Sequence, residues 1–207
     1  MDIDDDQQGG VSKIIIREIE DNYDLDSIPF EPGDVVLDIG AHVGIVSMYL
    51  AKKHPDILIE AYEPVLDNYN RLLRNLGANR ISNVCPHQMA VTSDGRDVIL
   101  TGDGAVNSGG YSVNDEGDWN ASSISIADLL SAHSRIKLLK LDCEGSEHEI
   151  VRAAGKLLEK VDYVRGELHS VPGWDTGATV ELLAKRVLPA NIKMQGGGRG
   201  VYPSNWA

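Results

Sequence analysis

This chain of 207 residues is short of everything a membrane span, a metal cage or a nucleic-acid surface needs. No apolar run approaches the roughly 20 residues that cross a bilayer as a helix. The opening MDIDDDQQGG lacks the basic and apolar regions of a secretory signal, so none is expected. Cysteine is scarce: Cys85 and Cys143 form no metal or redox spacing. Both are expected in or near strands as small apolar residues, and a cytoplasmic setting is the default. Positive charge is also scarce, with 19 Lys and Arg against 32 Asp and Glu and a formal net charge of −13. Eleven acids and two bases fall within residues 1–34, so the remainder is only mildly acidic. Binding DNA or RNA needs a basic stripe to neutralise phosphates, and none is visible. Arg71 and Arg74 read as one solvated helix face. Repeats and linkers are missing too. Residues 1–10 read as a disordered acidic tail whose removal leaves ligand affinity unchanged. Residues 11–207 read as one domain with ample length for a core.

What is present is an alternation of strand and helix. Residues 14–19, IIIREI, suggest a strand or short edge element. In the following stretch Tyr23 and Phe30 are the apolar anchors, expected to pack near the ligand end of the sheet. Strand 35–40 is followed by helix 44–54, and strand 57–63 by helix 66–76, closed by Gly77. A third strand lies near 84–91. Residues 95–120, rich in Gly, Asn, Asp and Ser, read as a hairpin or irregular insertion. ISIADLLSAH gives a short strand or turn and a helix. Strand 137–143 feeds helix 146–160, where Ser146 and Glu149 have capping-box spacing. Strand 163–169 and helix 177–188 follow. IKMQGGGRGVYPS reads as a terminal hairpin, with its glycines as the turn. Repeated β–α units imply an α/β, doubly wound, mostly parallel sheet, and the hairpin adds an antiparallel strand.

The most informative stretch is VVLDIGAHVG, residues 35–44. An inner strand runs into a glycine turn and then a helix, which presents free N–H groups to a carboxylate or phosphate. The dinucleotide pattern G-x-G-x-x-G would need glycine where His42 and Ile45 stand. The spacing is G-x-x-x-G instead, through Gly40 and Gly44, with Asp38 two residues ahead. Glu63 ends the next strand about 20 residues on, where an acid suits a ribose diol. These requirements describe a nucleoside with a small carboxylate-bearing tail, and S-adenosylmethionine meets them. A glycine turn without function and a nucleotide-dependent oxidoreductase are the competing readings.

A second motif, KLLKLDCEGSEHEIVRAA at 137–154, resembles the K-x-D-x-E-G-x-E signature of FkbM-family methyltransferases. The matching residues are Lys140, Asp142, Glu144, Gly145 and Glu147. DIGAHVG, MAVTSDG and YVRGELH are similar to further family segments, so the resemblance runs from about Tyr23 to the C-terminus. It implies a class I, Rossmann-like methyltransferase fold with a seven-stranded sheet closed by an antiparallel hairpin. It also implies S-adenosylmethionine as cofactor and leaves the acceptor open.

Ligands in open α/β sheets bind beyond the carboxyl ends of the strands. That rule selects 38–44, Glu63, 89–94, 142–144 and 167–169. The expected cofactor contacts are Asp38, Gly40, Ala41, His42, Gly44, Glu63, Pro64, Ala90 and Asp142. Asp38 orients the turn or reaches the methionine amino group, and Glu63 accepts both ribose hydroxyls. Pro64 stiffens the turn beneath the adenine. Ala90, by its place in the family, contacts the adenine through its backbone. The catalytic set is Asp142, Glu167 and His169, with His169 as base and the acids orienting it. A divalent metal on the same three groups is the less favoured version. Glu144 reads as structural or functional with equal weight, and Glu147 as a helix N-terminal acid. The favoured acceptor is a hydroxyl of a small molecule or glycan. RNA or protein acceptors and a non-catalytic cofactor-binding module are the alternatives.

Overall fold

The computed structural model describes residues 1–4, 19, 23–101, 112–114 and 119–196. Its centre is a six-stranded sheet in the order β11-β10-β9-β1-β2-β3. The strands are β1 (Val35–Ile39), β2 (Leu58–Tyr62), β3 (Val84–His87), β9 (Ile136–Leu141), β10 (Val161–Leu168) and β11 (Ile192–Gly196). Every neighbouring pair is parallel. The inner strands β1 and β9 are buried on both faces, as in a sheet covered on both sides, and are apolar apart from Asp38, Lys137 and Lys140. On one face, α1 (Ile45–Lys53) packs Ile45, Val46 and Leu50 against Val36, Ile59 and Leu138. Beside it, α2 (Leu66–Ala78) packs Leu72 and Leu76 against Met48 and Ala61. On the other face, α3 (Ile126–Ser131), α4 (Glu147–Ala154) and α5 (Thr176–Ala184) bury Leu37, Ile39, Leu139, Leu141 and Val164. The chain order reverses between β1 and β9, which makes their carboxyl ends the switch point where ligands bind in this architecture.

Several boundaries differ from the sequence expectation. The strand expected over 84–91 splits into β3 and β4 (Ala90–Thr92), and β4 leaves the main sheet to pair in parallel with β8 (Ser123–Ser125). The insertion forms a small antiparallel sheet of β5 (Val98–Thr101), β6 (Ser112–Asn114) and β7 (Trp119–Ala121), in the order β6-β5-β7. Gly77 lies inside α2 instead of beyond it, and Asn79 ends the helix. Helix 146–160 is α4 followed by a 3-10 stretch at Gly155–Lys160, because Gly155 turns to φ 51°.

Of the expected seven-stranded, hairpin-closed sheet, six strands lie among the described residues. All six are parallel, and β11 runs parallel to β10 because α5 carries the chain back across the sheet face. The rest of the expected hairpin, including 197–207, lies outside the described residues, as do 5–18 with most of IIIREI. Residues 1–4, expected as part of a free tail, lie along α2. Among the described residues no helix is long and apolar enough to cross a membrane.

Candidate active site

The glycine turn after β1 is held from below by a buried cation. Lys140, on β9, stands opposite Asp38 in the strand register. Its ammonium donates to the Gly40 carbonyl at 2.6 Å and lies 3.2 Å from Asp38 Oδ1 and 3.8 Å from Asp142 Oδ2. Burial pushes the Lys140 ammonium down, and the two carboxylates more than reverse this, so its pKa is raised. Asp38 is fully buried, and its Oδ2 accepts the Ser47 hydroxyl of α1 at 2.6 Å. Asp38 thus orients the turn. Gly40 has φ 77°, and a Cβ there would lie 1.8 Å from the Asp142 carbonyl oxygen. No other residue fits this crossing of β1 and β9.

Gly40 and Ala41 donate their N–H groups to the Tyr62 carbonyl, at 3.0 and 2.9 Å. The His42 N–H goes to Glu63 Oε2 at 2.9 Å, and Glu63 Oε1 accepts the Val65 N–H at 2.9 Å. Glu63 therefore clasps the glycine turn to the β2–α2 turn, across Pro64. Burial pushes its carboxyl up to about 7, against the pull of the Val65 and His42 N–H groups. The turn ends at Gly44, the N-cap of α1, and the first turn of that helix leaves N–H groups without helical acceptors. Ala90, the expected backbone contact of the adenine, opens β4. Its N–H donates to the Ser122 carbonyl at 2.9 Å, and it is buried with Val98, Leu100 and Ala121.

Beside this turn, Asp142, Glu144, Glu147, Glu167 and His169 converge. The expected trio is brought together, but the partner of His169 is different. Glu147 has no exposed surface, and its Oε1 lies 3.0 Å from His169 Nδ1. The same oxygen accepts the Cys143 N–H at 2.8 Å, and Gly145 N–H donates to Oε2 at 3.0 Å. Burial pushes the Glu147 carboxyl up, but the imidazolium and the two N–H groups prevail and hold it low. His169 rises to about 9, through the Glu147 hydrogen bond against the cost of burial. Its Nε2 faces Glu144 at 3.5 Å and Glu167 at 3.8 Å. Burial and mutual repulsion push Glu144 up to about 7 and raise Glu167 as well.

Two further residues fix this group. His148 Nε2 donates to the His169 carbonyl at 2.8 Å while its Nδ1 meets the Thr179 hydroxyl of α5 at 2.7 Å. Tyr23 donates its hydroxyl to Asp142 Oδ2 at 2.8 Å, so the segment before β1 does reach the site. Phe30 does not; it packs on His54, at the opposite end of α1.

Sequence reasoning passed over Glu147 as a dipole acid and His148 as ordinary. The signal for Glu147 was its place in the K-x-D-x-E-G-x-E motif, four residues after Cys143. A tight turn through Glu144 and Gly145, both at positive φ, folds the carboxylate back onto those N–H groups.

The donor set fits S-adenosylmethionine. Unused N–H groups at α1 suit its carboxylate, and the acids at Asp142 and Glu63 suit an ammonium and a ribose. One ligand atom each from Asp142, Glu147 and His169 lies within 4.8 Å of the others, the spacing of a metal set. Glu147 Oε1, however, already serves Cys143 and His169, so the trio reads as a hydrogen-bonded cluster instead of a cage.

Residues 38–187 match the methyltransferase FkbM domain, and the chain belongs to that family. Hexuronic acid methyltransferase AglP of Haloferax volcanii is 26% identical over 164 residues, covering 78% of this chain and 66% of that protein. Methyltransferase sdnD of Sordaria araneosa is 28% identical over 165 residues, 63% of each. The 31-O-demethyl-FK506 methyltransferase FkbM of Streptomyces tacrolimicus is 26% identical, covering 84% of this chain and 80% of that protein. The match thus spans slightly less than two thirds of the first two relatives. Precorrin-6y C5,15-methyltransferase from Geobacter metallireducens is similar in structure at 16% identity and a TM-score of 0.48, covering 78% of this chain and 67% of that one.

Proposed function

We propose that this chain is an S-adenosylmethionine-dependent methyltransferase that methylates a hydroxyl of a small molecule or glycan. The observation that carries the reading is His169, tied through Nδ1 to buried Glu147, with Nε2 turned toward Glu144 and Glu167 beside the glycine turn. The cofactor supplies an electrophilic methyl group on a sulfonium. Asp38 and Lys140 hold the turn, Gly40 to Gly44 take the methionine end, and Glu63 takes the ribose through its remaining lone pairs. Adenine recognition passes to neighbours of Ala90, whose own N–H is occupied.

The hydroxyl proton leaves for His169 Nε2, and Glu147 stabilises the imidazolium that forms. In the free protein His169 is already charged at neutral pH, so it must first release its own proton. Incoming positive charge in the cleft favours that release. Activity as kcat/KM therefore rises with pH toward about 9. The test is His169→Ala, assayed with labelled cofactor against pooled metabolites, glycans and RNA. Turnover falls by roughly 100-fold or more, S-adenosylhomocysteine affinity stays within about twofold, and chelators leave the rate unchanged. Wild-type turnover in the variant with a true acceptor would remove His169 as base.

A further inference from the structure

The first described residues are bound in a way that a loose tail is not. Residues 71, 75 and 79 fall on one stripe of α2 and its cap, with Arg74 adjacent. Asn79 Oδ1 accepts the Asp2 N–H at 3.1 Å, and Asn79 Nδ2 donates to the Asp2 carbonyl at 2.6 Å. One helical turn earlier, Asn75 Oδ1 accepts the Asp4 N–H at 2.6 Å and Asn75 Nδ2 donates to the Asp4 carbonyl at 3.1 Å. Each asparagine thus pairs with both backbone groups of one residue, as a neighbouring strand would. The spacing permits this because four helical residues rise about 6 Å and two extended residues about 6.6 Å. Ile3, between the two pairs, packs against the apolar clusters that include Ile81 and Val84. The Asp4 carboxylate meets Arg74 at 2.6 Å and Arg71 at 3.5 Å.

Asn75 also reaches the other way. It is 1% exposed, and its Nδ2 donates to the carbonyl of Val43, inside the glycine turn, at 2.8 Å. A side-chain amide has two hydrogens, and here one serves Asp4 and the other Val43. Fixing one bond fixes the rotation that makes the other.

We infer that α2 carries a backbone-reading groove for an extended Asp-x-Asp segment, that Asp2-Ile3-Asp4 of this chain is its occupant, and that occupancy tightens the glycine turn through Asn75. The Asp4 ion pairs are exposed and act mainly in register and salt sensitivity. The amide pairs and Ile3 set the fit.

The test compares the full chain with a D2G/I3G/D4G variant and, separately, with Asn79→Ala, which removes the Asp2 pair and a bond to the Asn75 carbonyl but leaves the Asn75 side chain in place. Hydrogen exchange of the His42 and Gly44 amides is read in ligand-free protein, where both are hydrogen-bonded. Exchange is expected to quicken about fivefold in the triple variant and less in Asn79→Ala. A Met-Asp-Ile-Asp peptide added in trans restores the slow rate, and a scrambled peptide does not. S-adenosylhomocysteine affinity, an arm that rests on the proposed cofactor, falls about threefold to tenfold in the triple variant. Unchanged exchange at both amides in either folded variant would overturn the coupling. Quickened exchange with no binding of S-adenosylhomocysteine by the full chain would leave the strap standing and remove the cofactor reading.

Discussion

A single buried carboxylate decides the charge state of the candidate base. His169 has four acids around it, Asp142, Glu144, Glu147 and Glu167, and Glu147 is the one hydrogen-bonded to a ring nitrogen. Glu147→Gln keeps an acceptor of nearly the same shape and removes the charge. The His169 midpoint, followed by imidazole NMR, is therefore expected to fall from about 9 by at least about one unit, toward the ordinary 6.5. An unchanged midpoint would assign the elevation to Glu144 and Asp142. Gly40→Ala is the complementary steric test. A left-handed residue whose Cβ meets a backbone oxygen at 1.8 Å has nowhere to move, and a loss above about 3 kcal/mol in urea unfolding is expected.

The start of α4 shows how an element can be legible while its fastening is not. Ser146 and Glu149 have the spacing of a capping box, yet the Ser146 side chain makes no cap bond and its backbone is already helical. Glu149 turns outward, accepting the Ser93 hydroxyl at 3.1 Å. Glu147 instead fastens the turn that leads into the helix, accepting the Cys143 and Gly145 N–H groups. Ser146→Ala is accordingly expected to change unfolding free energy by less than about 0.5 kcal/mol, while Glu147→Ala costs at least about 2 kcal/mol. Equal losses would restore the capping box. The helix itself was readable because Ile150, Val151, Ala154 and Leu158 repeat at helical spacing, and all are buried. Strands β1, β2, β9 and β10 were readable for a similar reason, as short apolar runs ending in Gly, Glu or Asp. The break at Gln88–Met89 was not, because β3 and β4 form one continuous run by composition, and only the tertiary pairing of β4 with β8 parts them. Likewise Asp142, Glu167 and His169 could be gathered by strand-end position. The bond from Glu147 depends on a positive-φ turn that no periodicity records.

At the scale of the molecule, charge and fold are coupled with a definite sign. Glu63 and Glu144 are each pushed up to about 7 in the fold, above an ordinary 4.5. Their stabilising protonation is complete below about 4.5 and lost as pH rises through about 7. His169, raised to about 9 from 6.5, stabilises the fold below about 6.5 and loses that as pH rises through about 9. All three act in the same direction, and self-repulsion of a chain of net charge −13 adds to them. The depressed carboxyls of Asp24, Asp26 and Glu147 oppose this only as pH falls below their ordinary range. Ligand-free protein should therefore melt about 5 °C higher at pH 5.5 than at pH 8.5, with Glu63→Gln reducing the gap. A Tm that rises across that interval would contradict these shifts.

The outer position of β3 has a consequence for crowding and storage. Asn83 and His87 give their carbonyls inward, to Ile59 and Glu63 of the neighbouring strand side, so the even-numbered residues point away from the sheet. Pro86 is one of them, and it has no N–H to offer. Among the described residues β3 ends the sheet, and over its four residues it turns a single donor, that of Val84, outward. A foreign strand trying to extend the sheet there finds the ladder broken at its second rung, which protects the protein against edge-to-edge aggregation.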